Sequence, residues 1–228
     1  MKETLFSEAK RLGIDLTEDQ LQAFCAFGEE LIEKNKVMNL TAITEPQAVA
    51  KLHFADCLAL LNFVNFKNKS VIDVGCGAGF PGVPLKLGEP TIDITLLDSL
   101  QKRVNWLRET TEKIGVKASC VSARAEEYGH REEFDIATSR AVARLNILAE
   151  LCLPFVKVGG CFVAMKAAAA EEELAEAKNA ISRLGGKLEE VKHYEIDGAS
   201  RCVLIIRKVK PTPPAYPRRF AKIKQQPL

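Results

Sequence analysis

No stretch of the 228 residues approaches the roughly 18 consecutive apolar residues of a membrane-spanning helix, which speaks against a helical membrane protein. The opening MKETLFSEAKRLGID mixes charges with apolar residues and lacks the apolar core of a signal peptide, so the expected location is cytoplasmic. The seven cysteines (Cys25, Cys57, Cys76, Cys120, Cys152, Cys161 and Cys202) form no C-x-x-C pair, and none has a histidine at zinc spacing. Their odd number argues against a disulfide framework. His53, His130 and His193 are scattered, and no metal is expected. Internal repeats are absent, as is any low-complexity linker before residue 210. What remains is ordinary: 47% hydrophobic and 27% charged residues, in a length that suits one sizeable α/β domain with a small appendage.

The net charge of +2 hides an uneven distribution. Residues 207–228 hold seven Lys or Arg and no Asp or Glu, leaving the rest of the chain acidic by about five charges. Such a basic end reads either as a polyanion contact or as a solvated tail. KVKPTPPAYPRRFAKIKQQPL is also Pro-rich, and is expected to be extended and semi-rigid rather than packed.

The first 65 residues read as a helical extension. Thr17 with Gln20 forms a capping-box pattern before an apolar series at helical spacing: Leu21, Phe24, Cys25, Phe27, Gly28 and Leu31. Asn39 to Thr44 looks like a break. Glu45-Pro46 then opens a second helix through Ala59, with Pro46 suited to a first turn.

From residue 66 to 209 the rhythm changes to short apolar runs alternating with amphipathic segments, the pattern of a parallel sheet flanked by helices. Strands are expected at Ser70–Val74, Ile92–Leu97, Lys117–Val121, Phe134–Thr138 and Gly160–Met165. Helices are expected at Pro81–Leu87, Leu100–Ile114 and Val142–Phe155, and over the alanine-rich run after Met165. Lys187–Tyr194 and Arg201–Ile206 follow with no helix between them and read as a hairpin-like, antiparallel end. The fold class is α/β: a doubly wound, Rossmann-like sheet of about seven strands, the last antiparallel. Residues 210–228 form the basic tail.

The informative segment is SVIDVGCGAGFPGVPLKL. A strand delivers Asp73, and Gly75, Gly77 and Gly79 let the backbone turn and approach a ligand at the carboxyl edge of the sheet. A dinucleotide fingerprint starting at Gly75 requires glycine at position 80, where this chain has Phe80. That bulk fits poorly against a pyrophosphate at a helix N-terminus and better with a ligand that has no phosphates. S-adenosylmethionine is such a ligand. Asp98, with Ser99 beside it, ends the second strand 23 residues after Gly75, where a carboxylate can accept from both ribose hydroxyls. That geometry serves NAD equally, and Asp98 is also a candidate helix cap.

Two more strand ends face the same crevice. After the third strand, Ala125 and Glu126 stand where an adenine edge would lie, unless they are simply a charged loop. After the fourth, Arg140 is the candidate catalytic and cofactor-site residue, with a salt bridge at a helix start as the alternative.

Taken together, Asn39-Leu40-Thr41-Ala42-Ile43, the His53 and Asp56 pair, DVGCGAGFPGVPL, LLDSLQKRVNWLRE, TSRAVA, Met165-Lys166 and Tyr216-Pro217-Arg218 resemble the bacterial small-subunit ribosomal RNA guanine-N7 methyltransferase family, also called the glucose-inhibited division protein B family. They span nearly the whole chain. The resemblance implies cofactor-loop contacts at Gly75 and Phe80, adenine contacts at Ala125 and Glu126, and a further cofactor-site contact at Arg140. Four features depart from the family pattern: Cys57, Cys76, Ala167, and a tail lacking Gly-x-Pro after the arginine.

The resemblance also implies the acceptor, N7 of a guanine in 16S ribosomal RNA. N7 has a free lone pair and no proton, so attack on a sulfonium methyl needs positioning rather than a general base. The chain accordingly has no Asn-Pro-Pro motif for an amino acceptor and no Pro-Cys nucleophile. A-form RNA hides N7 in its deep groove, so the target sits in a loop or leaves its stack. Expected RNA contacts are Lys166, Arg218 and Arg219, with Lys102, Arg103, Arg144, Lys222 and Lys224 as further basic candidates. The enzyme is expected to act as a monomer. A small-molecule methyltransferase and a non-catalytic cofactor-binding RNA module remain open, with an NAD dehydrogenase more distant.

Overall fold

The computed structural model describes residues 1–140, 142–167 and 170–228. Ala141 of TSRAVA and Ala168 and Ala169 of the alanine run lie outside the described residues. Helices α1 (Lys2–Arg11) and α2 (Glu18–Met38) come first. The start of α2 is set by a reciprocal capping box: the Gln20 amide donates to Thr17 Oγ1 at 3.2 Å and the Thr17 amide to Gln20 Oε1 at 2.8 Å. The end is set by Asn39 in the left-handed region, φ 50°.

The segment expected as one helix from Pro46 to Ala59 is a composite. It runs as α3 (Pro46–Val49), a π turn over Ala50–Ala55, α4 (Asp56–Leu58) and a 3₁₀ turn over Ala59–Asn62. A π turn inserts one residue per turn and so re-aims the side chains within and after it. His53 lies inside this turn and Asp56 directly follows it.

The remaining elements are β1 (Ser70–Val74), α5 (Gly82–Gly88), β2 (Asp93–Asp98), α6 (Gln101–Lys113), β3 (Ser119–Ser122), β4 (Phe134–Arg140), α7 (Leu145–Cys152), β5 (Val156–Ala167), α8 (Ala170–Arg183), β6 (Gly186–Ile196), β7 (Ala199–Lys208) and α9 (Phe220–Gln225). The sheet order is β3-β2-β1-β4-β5-β7-β6. Strands β1 to β5 are parallel, while β7 runs antiparallel to both its neighbours. Asp197 and Gly198, both at positive φ (51° and 76°), make the two-residue turn between β6 and β7. Strand order reverses between β1 and β4, and ligands of doubly wound sheets bind at that switch point.

Alternate residues of each strand serve two cores. Val71, Leu96, Val163 and Val203 face one side, and Ile72, Leu97, Phe162 and Leu204 the other. The first side is covered by α5, α6 and the N-terminal helices, whose Phe24, Phe27 and Phe54 are fully buried. Burial of each such ring contributes about 1.5–3 kcal/mol. The N-terminal extension is therefore part of the core. Phe27 and Phe54 reach the glycine loop itself, with ring centroids 5.8 and 6.2 Å from Phe80.

The tail differs from the extended segment its prolines suggest. Thr212 is buried, donating to Leu184 O at 2.8 Å and accepting from the buried Lys208 Nζ at 2.6 Å. Arg131 donates to the carbonyls of Thr212 and Tyr216. Ile223 of α9 is fully buried in the second core. Polyproline stiffness holds such a strand straight only where nothing else competes. Here side-chain hydrogen bonds to its carbonyls and the apolar pair Phe220 and Ile223 dock it.

Candidate active site

Three adjoining cavities follow the carboxyl edge of β1, β2 and β4. The central one, about 410 Å³, is lined by Gly75, Gly77, Phe80, Asp98, Ser99 and Arg140, among others. A smaller one, about 140 Å³, shares Gly75, Asp98, Ser99 and Val142 with it and adds Ala125, Glu126, Leu151 and Phe220. A third, about 590 Å³, shares His53, Arg140 and Val142 and extends to Lys166, Glu173, Tyr194 and Arg201. The result is one trough with a narrow apolar end, a middle, and a wide cationic end.

The loop that floors the middle is tied from beneath. Gly75 and Cys76 donate to Leu97 O, and Gly77 donates to Asp98 Oδ2 at 2.9 Å. Asp98 Oδ1 accepts from the Leu100 amide at 2.8 Å. Asp98 thus shapes the loop and the start of α6 while still lining the cavity, and each oxygen keeps a second lone pair for a ligand. Gly75 sits at φ +71°, and a Cβ there would stand 2.7 Å from Val142 Cγ2, so a larger residue would be strained.

Two residues expected at the ligand lie elsewhere. Gly79 is turned into the first core, where a Cβ would meet Val83, Leu107 and Phe27, and its glycine serves packing. Asp73 is fully buried and lines none of the three cavities. Its Oδ2 accepts from the Gly82 amide at 2.8 Å, and its Oδ1 is the one buried side-chain oxygen or nitrogen without a partner among the described residues.

Arg140 is the hub of the site. Its Nη1 donates to Asp56 Oδ2 at 3.2 Å, its Nη2 donates to His53 Nδ1 at 3.1 Å, and its guanidinium lies 4.7 Å from the Phe80 ring centroid. Arginine can only donate, so His53 Nδ1 is the acceptor and the proton sits on Nε2, which donates to Thr41 Oγ1 at 2.8 Å. Burial, reinforced by the Arg140 charge, lowers the His53 pKa to about 3. His53 is therefore neutral, and its ring stacks on Phe80 with centroids 4.5 Å apart. Asp56 Oδ1 accepts from Tyr194 OH at 2.9 Å, with Arg201 Nε at 3.8 Å. Burial and the adjacent Asp56 raise the Tyr194 phenol far above its ordinary range, so it stays a donor.

A family model described as GidB: rRNA small subunit methyltransferase G matches residues 20–202. The chain belongs to this family. A relative named Ribosomal RNA small subunit methyltransferase G from Clostridium perfringens is 44% identical over 225 residues, covering 95% of this chain and 94% of its own. The protein of that name from Bacillus cytotoxicus is 47% identical over 216 residues, covering 91% and 90%. Among solved structures, a SAM-dependent methyltransferase from Aquifex aeolicus superposes with a TM-score of 0.54 at 16% identity, covering 77% of this chain and 97% of its own. M. jannaschii TYW2 in complex with AdoMet gives a TM-score of 0.54 at 15% identity, over 67% and 74%. At such identities these structures establish the Rossmann-like methyltransferase fold.

In this family member the basic candidates divide. Lys166 lines the wide cavity, donating to Ala143 O at 2.6 Å and pairing with Glu173 at 2.7 Å. Arg218 is spent on the fully buried Glu150, donating to it from Nε, Nη2 and its backbone amide at 2.6–2.8 Å. Arg219, Lys222 and Lys224 are exposed, as is Lys102, whereas Arg103 faces the central cavity 4.0 Å from Asp98. Thr41, His53, Asp56 and Tyr194 were not expected as a working set. The i, i+3 spacing of His53 and Asp56 on one helix face was the available signal. Phe220 was missed too, although Phe220 and Ile223 repeat that spacing.

Asp73 has a pH signature. Complete burial raises its carboxyl pKa from 3.8 to about 7. The folded chain therefore holds a proton that the unfolded chain releases above about pH 4. The stability contributed by this group is present below that pH and lost as pH rises through 7. Asp73→Asn keeps an acceptor for Gly82 and never ionises. Relative to the parent it should gain stability between pH 5 and 8, by about 3 kcal/mol across that window. Urea unfolding at several pH values tests this, and a difference independent of pH would refute it.

Proposed function

We propose that this chain transfers the methyl group of S-adenosylmethionine to N7 of a guanine in 16S ribosomal RNA. The observation that carries this reading is the absence, among the described residues, of a free base in the passage shared by the central and wide cavities, which His53, Arg140 and Val142 line. His53 Nδ1 is occupied by Arg140, and both Asp56 oxygens are occupied by Arg140 and Tyr194. An amino or hydroxyl acceptor must lose a proton, whereas N7 attacks with a lone pair it already has.

The residues fit a nucleoside cofactor. Asp98 offers spare lone pairs to ribose hydroxyls, and the narrow cavity offers Leu97, Leu151 and Phe220 as apolar walls with Glu126 at the edge. When bound, the cofactor supplies an electrophilic methyl on a sulfonium. The chain's own part is positioning: Arg140, held by three partners, shapes the passage between the cavities, and Phe80 with His53 forms a flat wall beside it. The reading makes residues 66–209 the catalytic domain, residues 1–65 one wall of the passage and residues 210–228 a strap across the cofactor end. It also makes the protein a monomer, since one chain supplies the whole trough, and a cytoplasmic one, where its ribosomal RNA substrate lies.

The test is transfer of radiolabelled methyl to small-subunit RNA, small subunits and metabolite pools, followed by borohydride reduction and aniline cleavage of labelled RNA. Cleavage at a single guanine is the expected result. Label confined to metabolites, no label at all, or labelled RNA resistant to cleavage would each overturn the reading.

A further inference from the structure

The wide cavity contains four cations, Arg140, Arg144, Lys166 and Arg201, and two carboxylates, Asp56 and Glu173. The carboxylates are not equivalent. Asp56 has a donor on each oxygen, Arg140 on Oδ2 and Tyr194 on Oδ1. Glu173 places both its contacts on one oxygen: Oε2 accepts from the Leu145 amide at 2.9 Å and pairs with Lys166 Nζ at 2.7 Å. Its Oε1 has no partner among the described residues. Two donors on one oxygen fix the carboxylate plane, and with it the direction of the free lone pairs.

We infer that Glu173 is the specificity-determining residue that reads the acceptor guanine, accepting from its N1–H and N2 amino group. This rests on the guanine-N7 reading above. Guanine presents two adjacent donors on its Watson–Crick edge, and the two lone pairs of Oε1 can accept both. Adenine offers an acceptor at N1 instead and would face the free oxygen with a lone pair. The placement has the right polarity as well. Glu173 lines the wide cavity alone, whereas His53, Arg140 and Val142 line both it and the central cavity. N7 lies on the opposite edge of the purine from N1 and N2. A base held by Glu173 thus directs N7 toward the passage.

The contact also favours the reaction. As the N7 lone pair bonds to the methyl carbon, the S–C bond breaks, its electron pair stays on sulfur, and S-adenosylhomocysteine leaves neutral at sulfur. The purine gains the positive charge and no proton moves. A more acidic N1–H then donates more strongly to the carboxylate, so the interaction is tighter in the transition state than in the ground state.

The experiment compares RNAs carrying guanosine, inosine or 7-deazaguanosine at the mapped site, with the full-length parent and Glu173→Gln. Inosine lacks only the N2 amino group. The parent should lose about tenfold or more in kcat/KM on inosine RNA. Glu173→Gln should lose at least as much on guanosine RNA, keep its S-adenosylmethionine affinity, and no longer distinguish the two RNAs. Equal rates of the parent on guanosine and inosine would overturn the inference. So would a variant slowed by one factor on both RNAs, the mark of a merely structural role for the Lys166 contact. If Glu173→Gln does not fold, the inosine comparison on the parent still decides. Methylation of 7-deazaguanosine RNA would instead overturn the N7 reading, and the inference with it.

Discussion

Replacing Arg140 by alanine is expected to lower the rate of methyl transfer by a factor on the order of 10² or more, since a displacement near 1 Å at a positioned acceptor has that effect. Among the described residues, the guanidinium alone touches His53, Asp56 and Phe80 together. Without it the His53 ring loses the donor that sets its tautomer, and the passage between the cavities loses its edge. Asp56, only 6% exposed at its side chain, would lose the guanidinium that donates to its Oδ2. Tyr194 and the more distant Arg201 remain on Oδ1, so the loss should stay below the roughly 3–5 kcal/mol of a fully unpaired buried charge, and the variant should still unfold more easily. The two effects separate in the double variant Arg140→Ala with Asp56→Asn, which should regain stability and remain inactive. Arg140→Lys retains the charge but not the fork, and should fall between. Turnover assays with denaturant titrations provide the readout; an Arg140→Ala enzyme with near-parental turnover would remove Arg140 from the mechanism.

Loss of the tail should weaken the cofactor, not only the RNA. The basic, Pro-rich arm reads from sequence as an extended, unpacked segment that meets a polyanion or only solvent. The fold leads to the opposite expectation. Phe220 forms part of the cavity wall with Ala125 and Glu126, and Arg218 neutralises Glu150, which has no solvent exposure. Arg218→Ala should therefore destabilise the chain by about 3–5 kcal/mol, leaving a buried carboxylate unpaired. Phe220→Ala removes apolar wall without touching that pair. It should raise the S-adenosylmethionine Kd about tenfold, for a loss near 1.4 kcal/mol of contact. Alanine at Arg219, Lys222 and Lys224 should instead lower RNA affinity, flatten its salt dependence and leave the cofactor Kd unchanged. Calorimetric titration of the cofactor and salt-dependent RNA binding distinguish these outcomes. An unchanged cofactor Kd in Phe220→Ala would show the wall to be incidental.

Much of the fold was legible because its causes are local. Thr17 and Gln20 satisfy each other's amides three residues apart, and the alternation in Val71-Ile72 or Phe162-Val163 assigns each strand residue to one face. The glycine loop and Asp98 were legible for a related reason, since a strand end, a turn and a second strand end lie within 30 residues. Element ends were less so: β5 begins at Val156, four residues before the expected Gly160, because pairing with β4 continues past the apolar run. Gly79 and Asp73 show the limit within a motif. Their spacing matches their neighbours, yet one faces the core and the other lies beneath the loop.

By itself the sequence determined the α/β class, the strand at Ser70–Val74 with its glycine turn, the carboxylate at Asp98, and the family, because these follow from neighbours in the chain and from motif identity. Only the tertiary structure decided which groups share the site. Arg140 meets Asp56 across 84 residues and His53 across 87, and Arg218 reaches Glu150 across 68. Contacts at such separations depend on how whole elements pack, and a single sequence has no local pattern that reports them.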